Sequence, residues 1–168
     1  MSVLESKYPK RIVLDTETTG ISNSAEILQF SIMDLEGNTI LDTYCKPVRH
    51  RVWPMAESVN HISPKMVENA RVLPELYETL RDILENADEI IGYNIRFDMR
   101  MIKNNFDRWG LRVKIHAKIT DVMEMYMCRC CGRHRLVDCA KHFGFAFNAH
   151  DSLEDCRATL FCYKKLVK

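Results

Sequence analysis

No stretch of this 168-residue chain stays apolar for the ~20 residues that a bilayer-spanning helix needs, which excludes a transmembrane reading. The opening MSVLESKYPK carries Glu5 and no long apolar run, so it does not fit a secretory signal peptide. Neither sign of charge is in excess: 24 Lys and Arg stand against 23 Asp and Glu, a net charge of +1. A nucleic-acid partner would therefore be gripped locally and not by a broadly basic surface. Internal repeats, low-complexity tracts and linkers are also missing. At 46% apolar and 28% charged the composition is that of an ordinary globular protein, expected to fold as a single domain over 1–168 with a substantial core.

Paired CxxC spacing is absent too. The seven cysteines are odd in number and do not belong to a small secreted scaffold, so reduced thiols in a cytoplasmic protein are the expectation. Cys128, Cys130, Cys131 and His134 form C-x-C-C-x2-H, which departs from the usual structural zinc spacing and reads as a thiol-lined helix end.

The stretch RIVLDTETTG (11–20) holds what is present. Ile12, Val13 and Leu14 read as a buried strand, and the side-chain period of two sends Asp15 and Glu17 to the same face. Two like charges there repel unless something positive sits between them. EILQFSIMDLEG (26–37) and TILDTYCKP (39–47) follow as a hairpin around Gly37 and Asn38, for three antiparallel strands in all. Residues 46–64 contain Pro47, Pro54 and Pro64 and read as irregular. A helix is expected over 74–87, with Leu76, Leu80, Ile83 and Leu84 on one face. A short buried strand over 88–94 leads into a helix over 95–110 that closes at Gly110. KITDV (118–122) reads as a further strand end. Helices are expected over 135–145 and 151–168. Strands first and then helices alternating with strands predict a mixed sheet with helices on its faces.

More acids and a histidine stand at element ends. Asp98 lies near a helix start, and His150 and Asp155 have H-x4-D spacing at the start of the last helix. Five residues apart on a helix is about 140°, so the two share a cavity only if His150 sits in the preceding loop. Each has a plain reading alone: Asp98 as a carboxylate favoured by the helix dipole, Asp155 as a surface acid, His150 as a cap. Asp15, Glu17, Asp98 and Asp155 converge only if the sheet places the ends of the first and fourth strands side by side.

Taken together, VLDTETTG, IGYNIRFDMRMI with Asn94, Phe97 and Asp98, and HDSLEDCRAT with its H-x4-D resemble the three ordered motifs of the DEDD-type 3′–5′ exonucleases, histidine subclass. LVDCAKHFGF is similar to the stretch that precedes the third motif, and the match runs from residue 11 to about 162. The resemblance implies an α/β, ribonuclease-H-like fold and hydrolysis of nucleic-acid 3′ ends to nucleoside 5′-monophosphates. It implies catalytic roles for Asp15, Glu17, Asp98, His150 and Asp155. The four acids would hold two divalent ions, Mg²⁺ or Mn²⁺ because all-oxygen ligands select hard cations, and His150 would be the general base. Asp151 is the alternative ligand, with a helix-cap carboxylate as its plain reading. Thr18, Thr19, Gly20 and Phe97 are expected to approach the terminal nucleotide. So are Asn60 and His61, in SVNHIS where relatives carry I-H-G-I-T, and Asp121 reads as structural support. The partners implied are single-stranded or frayed 3′ ends, and a DNA polymerase docking on the folded surface. DNA is favoured because the pattern is most like the proofreading branch, similar to DNA polymerase III epsilon. RNA trimming or oligoribonucleotide degradation is the alternative, and a non-catalytic nucleic-acid or polymerase binding module a third reading.

Overall fold

The first apolar run forms the centre of the sheet. A computed structural model describes residues 7–168, so most of the stretch weighed against a signal peptide lies outside the described residues. β1 (Arg11–Thr18) pairs antiparallel with β2 (Ile27–Asp34), which pairs antiparallel with β3 (Thr39–Tyr44). On its other side β1 pairs parallel with β4 (Glu89–Gly92), and β4 pairs parallel with β5 (Lys118–Asp121). The order is β3-β2-β1-β4-β5. The mixed sheet is as expected, and β1 and β4 are neighbours, which is what convergence of the acids requires.

Alternation along the strands divides the core into two layers. Ile12, Leu14, Phe30 and Ile32 pack beneath two helices, and Val13, Met33 and Ile91 face the opposite side. Above the first face lie α3 (Leu73–Asn86) and α4 (Ile95–Arg108). The α3 stripe of Leu76, Leu80, Ile83 and Leu84 is fully buried, and Glu75 reaches back to accept the Val72 N–H at 2.9 Å. Gly110 takes φ +66 just past α4, the left-handed stop its sequence position promised. Covering the second face are α5 (Val122–Met127), α6 (Leu136–His142) and α7 (Ser152–Leu166).

Several boundaries differ from expectation. β2 stops at Asp34, whose carboxylate accepts the Asn38 backbone N–H at 2.7 Å and the Asn38 side-chain amide at 2.7 Å, closing the turn. The stretch read as irregular contains α1 (Pro54–Asn60) and α2 (Pro64–Val67), each opened by a proline. α5 follows β5 directly, because Asp121 ends the strand and caps the helix through the Met123 N–H at 3.0 Å.

Candidate active site

Three elements meet at the C-terminal end of β1. Asp15 and Glu17 project from the same face as Val13, toward α7, and a bulge follows between Glu17 and Thr18. α7 is fixed over that face by short polar contacts. Ser152 and Ser31 hydroxyls lie 2.5 Å apart, and Cys156 Sγ sits 3.4 Å from the Ser31 carbonyl. Asp151 Oδ1 accepts the Leu153 and Glu154 N–H groups, both at 3.1 Å, as an N-cap. Asp155, one turn in, therefore points back at β1. One carboxylate oxygen from each of Asp15, Glu17 and Asp155 falls within 4.8 Å of the others.

Asp98 enters from the other face. Asn94 opens α4 in the left-handed region (φ 56) and donates its N–H to Asp121 Oδ1 at 2.9 Å, so Asp121 supports the turn. Asp98 is buried, and its Oδ1 accepts the Thr16 N–H at 2.9 Å and the Thr16 hydroxyl at 2.7 Å. It stands outside the tight triplet but close enough to raise the Asp15 and Glu17 pKa values.

These carboxyls resist ionisation. Lost solvation holds Asp15 well above the usual carboxylate range, and the charges of Asp98, Asp155 and Glu17 push the same way. Glu17 is pushed up to about 8 by burial and then by Asp155, against a hydrogen bond from Asn60 that favours its ionised form. Burial takes Asp98 to about 7 despite the two Thr16 donors, and takes Asp155 to about 7 despite the His150 N–H. Repulsion without a counter-charge is what a cation between the carboxylates would relieve.

His150 lies in the loop before α7 with φ 71, its side chain exposed and its N–H 3.2 Å from Asp155 Oδ1. It lines a cleft of about 430 Å³ with Asn60, His61, Tyr44, Phe147 and Asn148. Asn60 is buried and committed: its amide donates to the Thr18 carbonyl at 3.2 Å, and its carbonyl accepts the Ile62 N–H at 3.1 Å. His61 ends α1 in the left-handed region (φ 59). The Thr18 hydroxyl donates to the Gly20 carbonyl at 2.7 Å, and Thr19 exchanges backbone and side-chain bonds with Glu26, so this turn is rigid beside the acids. Phe97 is half-buried against the core with the Arg100 guanidinium 5.4 Å above its ring, and it does not line the cleft. Sequence reasoning missed Tyr44, Phe147 and Asn148. Only the tertiary fold brings the end of β3 to the loop before α7.

The cysteine cluster forms no comparable group. Among the described residues, only Asp15, Glu17 and Asp155 bring three such ligand atoms together. Cys128 caps α5, as expected of a helix end, and His134 Nε2 lies 3.0 Å from the Cys130 carbonyl.

The family model described as an exonuclease (RNase T) matches residues 12–163. The uncharacterized exonuclease CP81 of Escherichia phage 186 is 30% identical over 173 residues, covering 94% of this chain and 88% of that protein. The PolC-type DNA polymerase III of Caldanaerobacter subterraneus subsp. tengcongensis is 24% identical over 94% of this chain, which spans only 11% of the polymerase. Among solved structures, the nuclease domain of 3′hExo, a DEDDh family member bound to rAMP, superposes with a TM-score of 0.78 at 14% identity, over 96% of this chain and 93% of that one. That likeness shows the ribonuclease-H-like fold.

Proposed function

We propose that this chain, which belongs to the exonuclease family, is a metal-dependent 3′–5′ exonuclease acting as a single domain over residues 1–168 and releasing nucleoside 5′-monophosphates. The observation that carries the reading is the convergence of Asp15, Glu17 and Asp155 within 4.8 Å, with Asp98 held beside them by Thr16. Their all-oxygen donor set and raised pKa values suit hard divalent cations, Mg²⁺ or Mn²⁺, two of which Asp15, Glu17, Asp98 and Asp155 would hold. Bound there, such ions would neutralise the phosphodiester, favour ionisation of the attacking water and steady the leaving 3′-oxygen.

The chain's own residues would do the rest. The His150 imidazole takes the proton of the attacking water, and its backbone, tied to Asp155, keeps that exposed ring at the mouth of the cleft. Asn60 orients Glu17 and anchors the Thr18 carbonyl. His61 faces the substrate across the cleft, while Thr18, Thr19 and Gly20 give the terminal nucleotide a stiff backbone wall. Phe97, packed against the core outside the cleft, is expected to approach the terminal nucleotide as well.

DNA is the favoured substrate, supported by the polymerase relative and the proofreading-like motifs, and a DNA polymerase is the proposed protein partner. The seven free thiols fit a cytoplasmic setting. No helix among the described residues is long and apolar enough to cross a membrane.

The test is digestion of matched labelled single-stranded DNA, duplex DNA and short RNA in Mg²⁺ or Mn²⁺. Stepwise release from the 3′ end, abolished in Asp15→Ala and slowed roughly 10²–10⁴-fold in His150→Ala, is expected. Full activity of Asp15→Ala would overturn the metal assignment, and activity on RNA alone would overturn the choice of DNA.

A further inference from the structure

The cleft beside His150 is joined to the carboxylates by the sheet itself. Across β1, β2 and β3, Glu17 pairs with Gln29, and Gln29 pairs with Tyr44. Directly paired residues point to the same face, so the three side chains form one row, with Tyr44 two strand spacings, about 10 Å, from Glu17. Gln29 and Tyr44 line the cleft of about 430 Å³ with His61, Phe147 and His150. Asn60 ties the two regions together a second time, since it lines the cleft and hydrogen-bonds Glu17.

The lining suits a flat, uncharged ring and not a phosphate. Among the described residues around the cleft there is no Lys or Arg, and Asp151 would repel an anion. Phe147 instead ends a run of three rings: Phe161 and Phe145 stack at 4.6 Å and 22°, and Phe145 and Phe147 at 6.1 Å and 29°. That run holds the last ring in place, and every nucleobase has a π-face to lay against it. Tyr44 packs on the small core of Leu28, Trp53 and Ile62 and supplies a second ring from a different element.

Gln29 adds a polar contact of fixed sense. It is buried, and its Nε2 donates to Asp42 Oδ1 at 3.0 Å. The Ser31 hydroxyl donates to the same oxygen at 2.9 Å and holds that carboxylate in turn. An ionised carboxylate only accepts, so the amide nitrogen of Gln29 must face Asp42 and the carbonyl must face away from it. Gln29 Oε1 has no hydrogen-bond partner among the described residues, yet it keeps accessible surface. A carbonyl placed so at a cleft wall is open to an N–H from a ligand, which the edges of the bases carry.

We propose that this cleft is the subsite for the base of the nucleotide just upstream of the bond being cut, stacked on Phe147 and Tyr44 and hydrogen-bonded to Gln29 Oε1. This rests on the nuclease reading and deepens it. The terminal nucleotide is assigned to the wall of Thr18, Thr19 and Gly20, none of which lines the cleft, so the strand crosses the carboxylates from one subsite to the other.

The test uses single-stranded DNA ten-mers in three forms: intact, abasic at the penultimate residue, and abasic at the 3′-terminal residue. The first cut is followed in wild type, Phe147→Ala, Tyr44→Leu and Gln29→Met. In wild type, kcat/KM on the penultimate-abasic strand is about tenfold below that on the intact one, mainly through KM, the worth of one stacked base. That penalty shrinks to about twofold in Phe147→Ala and in Tyr44→Leu, and by roughly a factor of three in Gln29→Met, the worth of one neutral hydrogen bond. The penalty for the terminal abasic residue is the same in all four proteins. Binding of the same labelled strands to Asp15→Asn, with and without Phe147→Ala, repeats the pattern in the absence of cutting.

A penultimate penalty as large in Phe147→Ala and Tyr44→Leu as in wild type overturns the proposal. So does a change confined to the terminal penalty, which puts the 3′-terminal base in the cleft, and so does a uniform loss on all three strands, which marks a structural role. Where one variant melts too low to assay, the other, on a different element, carries the same measurement. Absence of hydrolysis by wild type on every strand would sink the nuclease reading, while the binding arm still decides the subsite.

Discussion

Both donors of Thr16 end on Asp98 Oδ1, and they oppose the burial that holds this acid near pH 7. Thr16→Val keeps the backbone donor and the shape but removes the hydroxyl. Asp98 then ionises at higher pH, so the acid limb of the pH–rate profile moves up; the loss is roughly tenfold at pH 7, the worth of one hydrogen bond to a charged group, and shrinks by pH 8.5. A loss equal at both pH values would show that the hydroxyl acts otherwise. Glu17 gives a stability test of the opposite kind. Its folded pKa is raised to about 8 from an ordinary 4.5, so the folded state binds the extra proton between those values. By linkage, its contribution is favourable below pH 4.5 and is lost as pH rises through 8. The metal-free protein should melt several degrees lower at pH 8 than at pH 5, each pKa unit being worth about 1.4 kcal/mol. Glu17→Gln should flatten that slope in a calorimetric pH series. Asp15 and Glu17 were legible as neighbours from the strand period alone. Their raised pKa values were not, because burial depends on α7 arriving from the far end of the sequence.

At the level of elements, α7 determines which acid joins the β1 pair: Asp151 lines the cleft, and Asp155 is the one that meets Asp15 and Glu17. Asp151 bonds the first N–H groups of the helix, and Asp155 faces β1 one turn later. Asn caps helices as well as Asp does, so Asp151→Asn should keep activity within a few-fold and leave the melting temperature nearly unchanged, while Asp155→Asn should lose nucleotide release altogether. Equal losses in the two variants would make Asp151 a ligand and not a cap. The long helices could be read from their sequence because apolar spacing over three or more turns is a strong signal: α3 and α4 fall within two residues of expectation at each end. α1, α2 and α5 have seven, four and six residues, too few for a period to emerge. A signal for α5 was nevertheless present. Asp121 has N-cap chemistry as well as a strand-end position, and its backing of Asn94 ties the second motif to β5.

For the whole molecule, the acids converge at one site of a chain whose net charge is only +1. Adding Mg²⁺ or Mn²⁺ should raise the melting temperature by an amount that grows with pH from 5 to 8, since the carboxyls must shed protons to bind, and chelation should reverse it. A metal effect independent of pH would count against the cluster as the binding site. The mixed sheet and the three ordered motifs were legible because they are local patterns in a fixed order. The cleft wall of Tyr44, Phe147 and Asn148 was not, because it joins segments that nothing in the sequence relates.

β1 carries Asp15 and Glu17 near the start of the described chain, and α7 brings Asp155 near its end. During translation the nascent polypeptide exposes its early acids long before the last helix clears the ribosome. On the proposed function, a half-made chain, or one broken by proteolysis ahead of α7, lacks Asp155 and is expected to release no nucleotide from a 3′ end.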